Sequence, residues 1–363
     1  MEPRASSVSG GTGPVGPKGG RGILQIHPSL RCNLSCLHCY SSSGPDGSHG
    51  LAVEPIKQLV EDAADLSCSV LGVSGGEPLL YADLPKILGT AKGRGMTTTL
   101  TTNGVLLTEA RLEALRGLVD VIAISLDGTP SSHTRMRGDP QAFEHMACRL
   151  PALASSGITF GFVFTLTQSN VHELEWVVEF ANQAGASLVQ VHPLEAEGTA
   201  LTGLRSQTPD SQELVFAAIE ALRLQSSSSA LIQFDATTYG DLAHRPERFL
   251  CLEDAPDEPL GRWLTPLVLE PDGMLVPITY GFPRAYAIGN ILSNSLLELQ
   301  RVWSPDSLLT LARLTHQQGL QKMQSYDLSV INWYQDIVSW ARELSSQEHQ
   351  GVNPGRINSP RQP

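Results

Sequence analysis

Three cysteines, Cys32, Cys36 and Cys39, fall within eight residues of the run Arg31-Cys32-Asn33-Leu34-Ser35-Cys36-Leu37-His38-Cys39-Tyr40. Three thiolates at C-x3-C-x2-C spacing can wrap one metal centre. A structural zinc site takes four ligands, so zinc would recruit His38 or His49 as the fourth. A [4Fe–4S] cluster also takes four cysteines as a rule. Three would leave one iron without a protein ligand, the open position a catalytic cluster uses to hold a substrate or cofactor. Spacing alone leaves both metals open. It does not suit a disulfide framework, which spreads its cysteines through a short secreted chain. The other three of the six cysteines, Cys68, Cys148 and Cys251, are singletons. Residues 1–21 are rich in Gly, Ser and Pro and lack the apolar stretch of a secretory signal, which predicts a flexible tail and a reducing compartment.

The elements that must position the cysteines alternate. Residues 23–26 read as a strand that runs into the cysteine loop. Residues 53–66 carry helical periodicity, with Glu54 and Pro55 at the start. Residues 70–73 form a second strand, followed by Ser74-Gly75-Gly76-Glu77-Pro78. Asp83 caps a helix to Lys92, and the β-branched residues 97–101 make a third strand. A helix starts at Thr108. Strands at 121–125, 158–165 and 188–192 alternate with helices at 141–155 and, capped by Asn170, at 171–184. Such βα alternation predicts a parallel sheet with right-handed crossovers, and functional residues at the strand C-terminal ends. Residues 209–224 read as a helix and the serine run 226–229 as a hinge. Beyond it, Asp272-Gly273 marks a hairpin across 267–276. Helices follow at 295–303, 308–324 and 331–344. The expected class is α/β: a partial (βα)6 TIM-like barrel with a smaller α+β C-terminal domain.

The cysteine loop after strand one and the Gly-Gly-Glu-Pro run after strand two together resemble the radical S-adenosylmethionine (SAM) superfamily, over residues 22–198. The resemblance implies that Cys32, Cys36 and Cys39 ligate one [4Fe–4S] cluster whose open iron chelates SAM. Reductive cleavage of SAM would then give a 5′-deoxyadenosyl radical that abstracts hydrogen from a substrate. Residue by residue, Gly75, Gly76 and Glu77 match the motif that contacts the SAM amino group. His38 takes the place of an aromatic that touches adenine. Ser125, ending strand four, and Arg137, before Gly138, match positions that hold the SAM ribose and carboxylate in the peptide- and protein-modifying subgroup. Val191 to Leu194 matches the segment whose backbone reads adenine. Thr102-Asn103-Gly104 is similar to the family after strand three, and also fits a simple turn. No catalytic acid or base is identified.

Residues 270–303 resemble the SPASM/twitch extension of that subgroup, a module that binds auxiliary clusters through several cysteines. Here Ile278 stands where a ligating cysteine would follow Pro277, and no cysteine follows Cys251. The expectation is a degenerate, cluster-free module, with Cys251 its remnant. The predicted division is therefore a tail at 1–21, a radical SAM core at 22–225, the SPASM-like region at 226–310, helices at 311–349 and a tail at 350–363.

Composition narrows the function classes. The chain has 363 residues, 41% of them apolar, enough to bury a full core without staples. Charged residues are 17%, below the ~25% of typical domains, which argues against disorder throughout. A net charge of −12 disfavours nucleic acid, and no apolar run reaches the ~18 residues of a membrane span. The resemblance implies a cytoplasmic oxidoreductase acting on a peptide or protein, served by a low-potential electron donor of flavodoxin or ferredoxin type. Two alternatives stand beside it: modification of a small cofactor or tetrapyrrole by the same radical step, and a non-catalytic Fe–S or zinc-binding scaffold.

Overall fold

The structure, a computed structural model, describes residues 22–48, 50–246 and 258–349. Both predicted tails, His49 and Cys251 lie outside the described residues. The first half runs β1 (Gly22–Ile26), α1 (Val53–Asp65), β2 (Cys68–Val73), α2 (Leu84–Gly93), β3 (Thr97–Thr102), α3 (Glu109–Leu115), β4 (Val121–Ser125), α4 (Pro130–Arg137), α5 (Ala142–Ala147), α6 (Leu150–Ser156), β5 (Thr159–Leu166), α7 (Leu174–Ala184) and β6 (Leu188–Pro193). The second half adds α8 (Ala200–Gly203), α9 (Ser211–Gln225), β7 (Leu231–Phe234), β8 (Thr237–Thr238), α10 (Tyr239–His244), α11 (Leu260–Trp263), β9 (Leu267–Leu269), β10 (Met274–Pro277), β11 (Gly289–Asn290), α12 (Leu296–Val302), α13 (Asp306–Ser325), β12 (Val330–Ile331) and α14 (Trp333–His349).

Strands β1 to β7 are parallel and lie in sequence order, as the βα alternation predicts. The sheet continues past β1: β9 pairs parallel with it, and β10 and β11 follow antiparallel. Residue alternation sorts the two faces. Leu24, Ile26, Leu71, Leu100, Ile122, Ile124, Phe162 and Val189 have no exposure and form the core with the helices. Gln25, Gly72, Thr99, Thr101, Ser125, Val163, Thr165, Gln190 and His192 line a cavity on the other face. A polar set on the second face marks a working cavity rather than a filled barrel core.

Several local expectations change. The helix expected at 141–155 is two, α5 and α6, because Pro151 starts a new helix near its own N-terminus. The stretch 130–137 is itself helical, opened by Pro130 and closed by Gly138 at φ +69°. Asn170 does not cap α7. Its amide accepts from Thr167 N at 2.7 Å and donates to the carbonyls of Thr165 and Asp127, pinning the end of β5. The serine run is not a hinge. Ser228 and Ser229 hydrogen-bond Asn182 Oδ1, and the run turns the chain from α9 into a seventh parallel strand. The hairpin β9–β10 extends the barrel sheet through its pairing with β1, so the C-terminal region shares a sheet with the core. At its foot Ile278 is buried in the apolar core, at a φ of +73° that a β-branched residue seldom adopts.

Candidate active site

The loop after β1 is held by the ends of neighbouring strands. Gly76 N donates to Ser29 O at 2.9 Å and Glu77 N to Arg31 O at 2.8 Å. Leu37 N bonds Met136 O, and Thr199 N bonds Cys39 O. The glycines serve this contact. A Cβ on Gly76 would lie 2.2 Å from Arg31 O, and one on Gly75, at φ +118°, would lie 2.9 Å from Ser29 O. Fixed this way, Cys32, Cys36 and Cys39 all line the cavity at the strand C-terminal ends.

Each sulfur faces a donor. Asn103 Nδ2 lies 3.9 Å from Cys32 Sγ, Arg137 Nη1 3.7 Å from Cys36 Sγ, and Ser43 N 3.2 Å from Cys39 Sγ. Burial pushes the Cys32 thiol up to about 12, and burial raises Cys36 against the pull of Arg137. Such thiols ionise when a cationic group binds them. The donor set, three thiols of one loop each with an N–H aimed at it, fits the [4Fe–4S] cluster. Cys68 is buried at the start of β2, and Cys148, at the C-terminus of α5, is exposed.

Behind the cysteines lies a buried charge network. Arg137 meets Asp127 through Nε at 2.7 Å and Nη2 at 3.1 Å. Asp127 has no exposure. Burial opposes its ionisation, but Arg137, His38 and His133 together hold its carboxyl below the ordinary range. His38 Nε2 is 3.6 Å from Asp127, and the ring is half-buried on the cavity wall. Burial lowers both His38 and His133 to about 4, so each is neutral at pH 7. Arg137 is thus engaged by Asp127 and Cys36 together, not free as a carboxylate clamp.

The sequence-expected contacts divide. Gly75, Gly76, Ser125, His38, Arg137 and Leu194 reach the cavity. Glu77 does not: its oxygens accept from Leu79 N, Thr102 Oγ1 and Asn103 N at 2.8–3.1 Å. Burial pushes its carboxyl up against those three donors. It ties the Gly-Gly-Glu turn to the end of β3, where Asn103 also closes an Asx turn onto Val105 N. Val191 is fully buried on the helix face, because strand alternation turns its neighbours Gln190 and His192 to the cavity.

Sequence reasoning missed the wall formed by β6, the end of β7 and α14. His192 Nδ1 is 3.1 Å from Asp235 Oδ2, and its Nε2 is 3.5 Å from Glu195. Burial opposes charge on His192, yet the two carboxylates raise it to about 10. Gln190 and Gln233 also donate to Asp235. Helix α14 closes this side: Gln335 accepts from Ala196 N at 2.7 Å, Arg342 pairs with Glu197, and Tyr334 faces the cavity. Period-2 alternation along 188–192 could have found His192. No local signal ties Tyr334, more than 100 residues on, to the same cavity.

The radical SAM superfamily matches the chain over residues 26–181. The Fe-coproporphyrin III synthase of Methanosarcina barkeri is 30% identical over 44% of this chain and 41% of that protein. The PqqA peptide cyclase of Ruegeria pomeroyi is 30% identical over 68% of this chain and 64% of that protein. The chain spans about half the length of the first curated relatives it matches. In structure it resembles a tagged form of anSMEcpe with bound AdoMet, at a TM-score of 0.63 and 15% identity, over 92% of this chain and 99% of that one. That likeness shares the fold, a partial barrel with its C-terminal extension. Residues 26–181 carry a radical SAM domain, the domain of a family of enzymes that carries a [4Fe–4S] cluster and uses SAM. Among the described residues no helix is long and apolar enough to cross a membrane.

Proposed function

We propose that this chain is a radical SAM enzyme acting on a peptide or protein. The observation that carries the reading is the set of three thiols from one loop, each facing an N–H donor, on the wall of the cavity at the strand ends. Cys32, Cys36 and Cys39 would hold the cluster, whose bound chemistry is one-electron cleavage of SAM to a 5′-deoxyadenosyl radical. The protein's share is position and exclusion of water. Asn103 and Ser43 N–H orient the sulfurs, and Arg137, anchored by Asp127, sets a positive charge beside Cys36. Gly75, Gly76, His38, Ser125 and Leu194 would shape the SAM site. Val191 and Glu77 would act from behind it, by packing and by fixing the glycine turn. The electron would come from an external low-potential donor of flavodoxin or ferredoxin type, because the SPASM-like hairpin carries Ile278 at its ligand position.

Peptide-acting and tetrapyrrole-acting relatives both match the chain, and the longer match is to the peptide cyclase. The test is anaerobic reconstitution with iron and sulfide, followed by reductant and SAM. About four irons per chain and release of 5′-deoxyadenosine are expected, both lost in Cys36→Ala. A colourless, zinc-loaded protein that leaves SAM intact would sink the reading.

A further inference from the structure

The cavity wall built by the end of β6, the end of β7 and α14 combines charge with an unsatisfied hydroxyl. Tyr334 is 5% exposed and lines the cavity, and its hydroxyl is buried with no hydrogen-bond partner among the described residues. A buried, unpaired hydroxyl is costly and is kept where a ligand completes it. Beside it stand two carboxylates and one imidazolium: His192 lies between Asp235 and Glu195. Asp235 is saturated by Gln190, Gln233 and His192. Glu195 lines the cavity, and among the described residues its side chain has only the 3.5 Å pairing to His192. The group therefore keeps one net negative charge, carried toward the cavity by Glu195. Both carboxylates also act on the Tyr334 phenol, which places the four groups within electrostatic reach of one another. Another cation that lines the cavity, Arg137, is already held by Asp127.

We propose that Glu195 and Tyr334 form a substrate subsite for a cationic nitrogen, an ammonium such as a lysine side chain, with His192 and Asp235 as positioning residues. The ammonium would donate to the Glu195 carboxylate and the Tyr334 oxygen, supplying the charge and the partner this wall lacks. A tetracarboxylate tetrapyrrole carries the opposite sign and is disfavoured there. The subsite deepens the peptide reading above and rests on it. Of its residues, none lies in the segment matched to the superfamily, residues 26–181.

The test uses reconstituted protein and calorimetry with acetyl-Gly-Lys-Gly-amide, its norleucine and glutamate counterparts, and SAM, each titrated separately. The lysine peptide should bind about tenfold or more tighter than either counterpart, as a hydrogen bond to a charged partner implies. Glu195→Gln should erase that preference. Tyr334→Phe should weaken the lysine peptide while leaving the thermal midpoint level or higher, since it removes an unpaired group. A purely packing tyrosine would leave the binding of the lysine peptide unchanged in Tyr334→Phe, and that outcome overturns its place in the subsite. Equal binding of the norleucine peptide, no binding of the lysine peptide, or a preference that survives Glu195→Gln overturns the proposal. SAM carries an ammonium of its own, so a Glu195→Gln variant that loses SAM and peptide together also overturns it. Wild-type protein that fails to bind SAM defeats the parent reading, whatever the peptides do.

Discussion

The two walls of the cavity are built by different rules. The cysteine wall takes its sulfurs from one continuous loop, and the charges behind them cancel: Arg137, ending α4, against Asp127, after β4, both buried. The second wall is assembled from β6, the end of β7 and α14, and its charges do not cancel. Its histidine is protonated between two carboxylates, whereas the histidines behind the cysteines are held neutral. A wall that must hold a fixed prosthetic group can be self-contained. A wall that must accept a variable partner leaves a charge and a hydroxyl open.

The sharpest way to break this contrast is at Asp127. Replacing it with Ala strands the buried Arg137 guanidinium, which should cost about 3–5 kcal/mol in urea denaturation. The same readout on Glu195→Gln should move much less, because that carboxylate faces the cavity. Comparable losses at both positions would show that the second wall is as closed as the cysteine wall. Glu77→Gln comes next. An amide in place of a carboxylate presents N–H to donors that need an acceptor, and about 1–3 kcal/mol should be lost. If Glu77 instead served only SAM, denaturation of the free protein would be unchanged.

The walls should also respond to pH with opposite signs. His192 is raised from 6.5 to about 10, so its contribution is fully present below pH 6.5 and is lost as pH climbs toward 10. His133 is lowered from 6.5 to about 4, so it supports the fold above pH 6.5 and its contribution is lost as pH falls toward 4. Each slope is limited to about 1.4 kcal/mol per pH unit. Denaturation midpoints across that span, compared with His192→Gln and His133→Gln, should show the difference closing on the alkaline side for the first and on the acid side for the second. A His192→Gln difference that is flat between pH 6.5 and 10 would mean that the imidazole is not charged between its carboxylates.

The cysteine wall was legible because its chemistry is local. Cys32, Cys36 and Cys39 announce themselves by spacing, and Gly75-Gly76-Glu77 follows the next strand. What each residue does was less legible. Glu77 has the expected type but faces away from the cavity, because its orientation is set by the donors that the end of β3 offers. The barrel could be read from βα periodicity up to β6. The pairing of β9 with β1 and the arrival of Tyr334 could not, because they join segments some 240 and 140 residues apart in sequence. Ser226 to Ser229 misled for a related reason: a serine run is polar enough for a linker, yet Asn182 gives it enough hydrogen bonds to make a tight turn.

The smallest effect belongs to a cysteine outside both walls. Cys148 is exposed, and its thiol donates only to the carbonyl of His145, 3.2 Å away within the same turn. A serine hydroxyl can make that bond, so Cys148→Ser should change stability by no more than about 0.5 kcal/mol. Cys68 is the matching control, buried in the apolar core where β2 begins, with burial the sole influence raising its thiol. A hydroxyl there would be desolvated without compensation, and Cys68→Ser should cost about 1–3 kcal/mol. Iron content should stay at its wild-type level in both variants. A loss of iron in Cys148→Ser would bring a fourth thiol into the metal chemistry and undo the assignment of that chemistry to a single loop.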